Sequence, residues 1–166
     1  MTAAAGEAAS ARDVSPTETA AIGSASARSS AGVSAAAESV DDSRSGEGAL
    51  RWASAAAAAA DERNGLDTVM IDVGDVLAVT DLFVITHGNN ARQVRAIAEG
   101  VQELLKQAGG PSPARIEGAD DRQWVLLDYG SFVVHVFDAE RRELYQLERL
   151  WGDCPLLDWR SGTADR

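Results

Sequence analysis

One cysteine, two histidines and one lysine are all that 166 residues hold of three residue types on which much protein chemistry rests. Cys154 alone leaves no internal disulfide to form, and with His87 and His135 it makes none of the spacings of a zinc site. A thiol protease finds no matching motif, and neither a G-x-S-x-G elbow, a P-loop nor a dinucleotide fingerprint is present. No cofactor and no metal is expected. Nowhere do 18 consecutive strongly apolar residues occur, so no membrane-spanning helix is expected. The opening residues lack the basic start and continuous apolar segment of a secretory signal. Together these absences lead us to expect a chain of the reducing cytoplasm with no membrane partner.

Aromatic residues are few, 5% of the chain, and residues 1–48 contain none. That stretch is about half Ala plus Ser, and its larger apolar side chains are Val14, Ile22, Val33 and Val40. So little apolar surface does not offset a backbone entropy cost of ~1–2 kcal/mol per residue. The sequence therefore predicts a disordered tail over 1–48, a domain over 49–155 and a flexible C-terminal tail over 156–166.

Positive charge is also short. The formal net charge is −11, with three basic and seven acidic residues in 1–48 and twelve and nineteen in the rest. Phosphate backbones are bound by basic patches, so direct nucleic-acid binding is not expected as the main mode. Long-range attraction favours a basic protein instead.

What is present is patterned. Gly48 to Arg63 carries a long Ala run, the strongest intrinsic helix former, and ends at Asn64-Gly65, a natural left-handed cap. Val69, Ile71 and Val73 alternate as in a strand, and Leu82 to Thr86 is a short apolar run of the kind found in central strands. Val94, Ile97, Ala98, Val101, Leu104, Leu105 and Ala108 share one helical face, capped by Asn89 or Asn90 and stopped by Gly109-Gly110-Pro111. Three strands follow, Ala114 to Glu117, Gln123 to Tyr129 and Phe132 to Phe137, with turns short enough to imply antiparallel pairing. A last helix starts at Asp138 and carries the stripe Leu144, Leu147, Leu150 and Trp151. The predicted fold class is α/β, a single mixed five-stranded sheet flanked by helices.

Six ordered segments carry a family resemblance. They are Val79-Thr80-Asp81-Leu82-Phe83-Val84-Ile85, Arg92-Gln93-Val94, Ile116-Glu117-Gly118, Trp124-Val125-Leu126-Leu127-Asp128-Tyr129-Gly130, Val133-Val134-His135-Val136-Phe137, and the final Tyr145-x-Leu147-Glu148-x-Leu150-Trp151-Gly152-Asp153. In this order and spacing the chain resembles the ribosomal silencing factor family (RsfS, or Iojap), from about Thr68 to Pro155 and more loosely from Ala49. The resemblance implies a nucleotidyltransferase-like fold without catalysis. It implies binding to ribosomal protein fourteen on the face of the large subunit that meets the small one. Binding there blocks subunit joining and lowers translation when nutrients run short. Homodimers are also implied. Two departures stand out: His87-Gly88-Asn89-Asn90 replaces a stretch usually rich in small hydroxyl residues, and the long tail lies outside the family domain.

The candidate partner-binding residues are Trp124, Asp128, Tyr129 and His135. The resemblance places Trp124 on the ribosome-facing patch; a core tryptophan at a strand start is the alternative. Asp128 stands either to pair with a basic residue of the partner or to hold the Tyr129-Gly130-Ser131 turn. Strand alternation puts Tyr129 on the face opposite Trp124. His135, between valines, is either a satisfied structural group or a partner contact. Thr80 and Asp81 are expected to fix a bend by side-chain hydrogen bonds, and Arg141-Arg142 to form an exposed basic spot. The rival reading is a metal-dependent nucleotidyl-transfer enzyme built on Asp72, Asp75, Asp81 and Asp128. Against it, Asp72 and Asp75 straddle a turn rather than sharing one strand face, and Lys106 lies away from any phosphate-binding loop.

Overall fold

Residues 46–161 are described by a computed structural model of the chain. The expected N-terminal tail lies outside the described residues except for its last three positions, which open the first helix.

Helix α1 (Gly46–Glu62) uses its alanines as a packing surface. Ala49, Ala53, Ala56, Ala57 and Ala60 are fully buried, so the helix lies close against both the sheet and the next helix. It ends as the sequence predicts: Asn64 takes a left-handed φ of 61° and the Gly65 N–H returns to the Ala60 carbonyl at 2.8 Å. Strand β1 (Leu66–Asp72) then runs antiparallel to β2 (Leu82–Gly88), with an irregularity between Leu66 and Val69 where Asp67 adopts φ 45°.

Helix α2 (Ala91–Gln107) buries Val94, Ile97, Ala98, Val101 and Leu105, while Leu104 is only partly covered and Ala108 is exposed. Asn90 caps it by accepting the Gln93 N–H at 2.9 Å, and the Gln93 side chain in return accepts the Asn89 N–H at 2.9 Å. One orphan amide at the helix start is thereby satisfied, and the residue before the cap is tied to the first turn.

Strands β3 (Arg115–Glu117), β4 (Trp124–Asp128) and β5 (Phe132–Asp138) form the expected antiparallel run. β5 then lies parallel to β2 over seven pairs, from Leu82 beside Phe132 to Gly88 beside Asp138. These two strands are the middle of the sheet, which accounts for their near-continuous apolar sequences.

Two expectations are corrected. The sheet has six strands, in the order β3-β4-β5-β2-β1-β6, not five. β6 (Leu156–Leu157) pairs with β1 through Met70 and Ile71. It falls inside the segment read as a flexible tail, and two residues are too few to show alternation. Trp159 follows it, 6% exposed, and its indole N–H donates to the Thr68 carbonyl at 3.0 Å. The last helix is also broken: α3 (Ala139–Tyr145) and α4 (Leu147–Leu150) are separated by Gln146 at φ 43°. The predicted stripe therefore does not stay on one face, and Leu144 and Leu150 are exposed.

Candidate partner-binding face

The two sheet faces are dressed differently. Alternation sends Leu82, Val84, Val125, Leu127, Phe132, Val134 and Val136 toward α1 and α2, into the larger core. The opposite face carries Ile71, Val73, Phe83, Ile85, Val133 and Phe137, with Trp124, Leu126, Leu147, Trp151 and Cys154 packed at its margin. Among the described residues, Leu77, Leu147 of α4, and Trp151 and Cys154 just after it lie over this second face.

Trp124 opens β4 and sits opposite Phe137 in the antiparallel register. The rings stack with centroids 4.8 Å apart, and Tyr145 of α3 closes on the indole at 4.9 Å. The indole N–H donates to Nδ1 of His135 at 3.2 Å. Trp124 remains partly exposed, beside a cleft of about 220 Å³ lined by Gly118, Asp121, Gln123, Trp124, Arg141 and Tyr145. The turn that presents it is tight: Gly118 has φ +75°, and a Cβ there would lie 1.9 Å from the Trp124 carbonyl oxygen.

His135 is 6% exposed and meets Phe83 edge to face at 4.8 Å. Because Nδ1 accepts, the ring proton belongs on Nε2, which finds no partner among the described residues. Burial holds its pKa down to about 4, so the ring is neutral at physiological pH.

Tyr129 belongs to the other face, where it stacks on Phe132 with centroids 4.6 Å apart and packs against the larger core. Burial pushes its phenol far above the usual range. The structure thus brings Trp124 and His135 together and sets Tyr129 apart, as alternation predicts. Asp128 accepts the Gly130 N–H at 2.8 Å, the turn-holding arrangement. Thr80 does not meet its expectation: its buried hydroxyl has no partner among the described residues. The bend is held by backbone instead, with the Val73 N–H on the Asp81 carbonyl at 2.8 Å and the Asp81 N–H on Ser131 at 2.9 Å.

Arg142, expected on an exposed basic spot, is instead a clamp with an 11% exposed side chain. It donates to the carbonyls of Leu66 at 3.1 Å and Asp67 at 2.6 Å and forms a two-nitrogen pair with Glu148. His87 Nδ1 lies 3.1 Å from the same guanidinium, and burial, then Arg142, lowers its pKa. Phe137 and Tyr145 are the neighbours of Trp124 that sequence reading does not bring to it; only the β4–β5 register would have supplied Phe137.

The carboxylates of the rival reading divide. Asp72, Asp75 and Asp81 line one cleft of about 390 Å³, where Asp72 accepts the Gly74 N–H at 3.2 Å. Asp128 ends β4, and β5 stands between that strand and β2. Among the described residues no group of three or more His, Cys, Asp or Glu side chains is placed to hold a metal ion. At the start of α2 the Gln93 N–H is taken by the Asn90 side chain, and the Asn89 N–H just before the cap by the Gln93 side chain. Nor is any helix among the described residues long and apolar enough to cross a membrane.

Comparison with known proteins gives a consistent picture. A family model described as "Ribosomal silencing factor during starvation" (RsfS) matches residues 46–166. The chain is 43% identical over 103 residues to the ribosomal silencing factor RsfS of Bacillus subtilis, covering 62% of this chain and 86% of that protein. It is 35% identical over 92 residues to the mouse protein named mitochondrial assembly of ribosomal large subunit protein 1, covering 54% of this chain and 40% of the mouse protein. A crystal structure of a Chromobacterium violaceum protein superposes with a TM-score of 0.56 at 35% identity, over 58% of this chain and 80% of the other.

Proposed function

Since the chain belongs to the RsfS family of ribosomal silencing factors, we propose that it binds the large ribosomal subunit through ribosomal protein fourteen and so blocks docking of the small subunit. Translation then falls when nutrients are limiting. The observation that carries this reading is the family match across every described residue of the domain. The mouse relative's name, which ties that protein to the large ribosomal subunit, supports the choice of subunit. A net charge of −11 favours a basic ribosomal protein over ribosomal RNA as the contact.

On this reading Trp124 is the anchor of the contact. It is a partly exposed tryptophan at the margin of this second face, beside an open cleft, and tryptophans are among the side chains that most often dominate an interface. Asp128 acts through the turn it holds. The proposal includes a cytoplasmic location, a nucleotidyltransferase-like fold, and a homodimer, for which exposed Leu144 and Leu150 offer apolar surface. No bond is made or broken: silencing of this kind needs only occupancy.

The test is sedimentation. Purified protein should travel with isolated large subunits, be absent from assembled ribosomes, and lower the yield of joined ribosomes when small subunits are added. Trp124→Ala should abolish co-sedimentation while circular dichroism is unchanged. A protein that ignores free large subunits, or turns over a nucleotide with Mg²⁺, would refute the reading.

A further inference from the structure

We infer that His135 is a positioning residue for partner binding: by accepting the indole N–H of Trp124 it selects the edge of that ring presented to the large subunit. The inference rests on the reading of Trp124 as the anchor.

His135 is too deeply buried to meet a partner itself. Its place in β5, between Val133 and Phe137 on the same face, is one that an apolar side chain would fill without leaving a polar atom stranded. The histidine does strand one, because Nε2 has no partner among the described residues. The single hydrogen bond its side chain makes there is the one from Trp124, at 3.2 Å. Packing alone therefore does not explain a histidine, and the bond to the indole does.

The indole needs such a bond. Stacked on Phe137 and touched by Tyr145, its ring plane is fixed by packing. A stack, however, does not distinguish the two orientations related by a half-turn of the ring. An acceptor on one side does. With the N–H turned inward to His135, the opposite, carbon-only edge is the one left toward the cleft beside Tyr145.

Equilibrium binding to purified large subunits tests this with four variants. His135→Leu removes the acceptor at similar volume. His135→Asn restores one, because its Oδ1 is bonded to Cγ just as Nδ1 is. Trp124→Phe removes the donor and keeps an aromatic ring, and Trp124→Ala removes the anchor. His135→Leu should weaken binding roughly fivefold to tenfold, the size of one hydrogen bond. His135→Asn should recover most of that, and His135→Leu should add nothing in the Trp124→Phe background. Losses that multiply in the double variant, or no recovery with Asn, overturn the inference. Should His135→Leu not fold, the comparison of wild type, His135→Asn and Trp124→Phe decides: Asn near wild type with Phe weakened supports the inference, and Asn as weak as Phe overturns it. If Trp124→Ala binds normally, the anchor reading itself fails; if Trp124→Ala is inactive while His135→Leu binds as wild type, only the positioning role fails.

Discussion

Arg142 and Glu148 face each other across the helix break at Gln146, with two guanidinium nitrogens on one carboxylate oxygen. The pair ties α4 back to α3, while the same arginine holds the Leu66 and Asp67 carbonyls of β1. A helix of four residues has almost no stability of its own, so the position of α4 depends on this link.

Removing Glu148 leaves a guanidinium whose side chain is 11% exposed without its counter-charge. Glu148→Ala should cost about 2 kcal/mol, somewhat less than a fully buried pair because the carboxylate is partly solvated. Urea unfolding midpoints measure the loss, and Glu148→Gln should recover part of it through a neutral acceptor.

Acid should act through His135. Its folded pKa of about 4 lies below the unfolded value of 6.5, so between these values the unfolded chain binds more protons. The stability that depends on a neutral ring is complete above pH 6.5 and is lost as pH falls toward 4. At about 1.4 kcal/mol per unit, the loss approaches 3 kcal/mol. In urea titrations at pH 7 and pH 4.5, His135→Leu should lose less stability on acidification than the parent chain; an identical loss would refute this.

Gly118→Ala should destabilise the domain by about 2 kcal/mol or more, combining a left-handed backbone with a Cβ 1.9 Å from the Trp124 carbonyl. Thermal melting measures the loss. Gly109→Ala is the control: its φ of +74° is similar, but no atom lies within 4 Å of the added carbon, so only the smaller backbone cost applies.

The segment after Pro155 should matter to stability. Trp159→Ala removes a buried indole and its bond to the Thr68 carbonyl, a loss of about 3 kcal/mol. A flexible tail would show no change in the melting temperature.

Most of this architecture is legible in the residues, and the exceptions share a cause. The face of α2, its Asn90 cap and its glycine stop follow from local periodicity, as does the placing of Tyr129 opposite Trp124. β6 exists because β1 has an open edge to pair with, which no window around Leu156 and Leu157 can reveal. The break at Gln146 carries no Gly or Pro to announce it. Arg142 looks solvated beside Arg141 at a helix start, and its burial comes from carbonyls more than seventy residues earlier. At the candidate site, Trp124 stands out by residue type, but its bond to His135 depends on the β4–β5 register. Signals local in the sequence are legible; partners distant along the chain are not.

The parallel pairing of β2 with β5 has a consequence for how the molecule is made. Leu82–Gly88 must wait for Phe132–Asp138, its neighbour in the middle of the sheet, while α2 and the β3–β4 hairpin are synthesised between them. During that interval a strand that ends almost wholly buried has one unmatched edge, a condition that slows folding and invites misassociation. The final steps of translation thus close the centre first and then, with Leu156–Leu157, the rim.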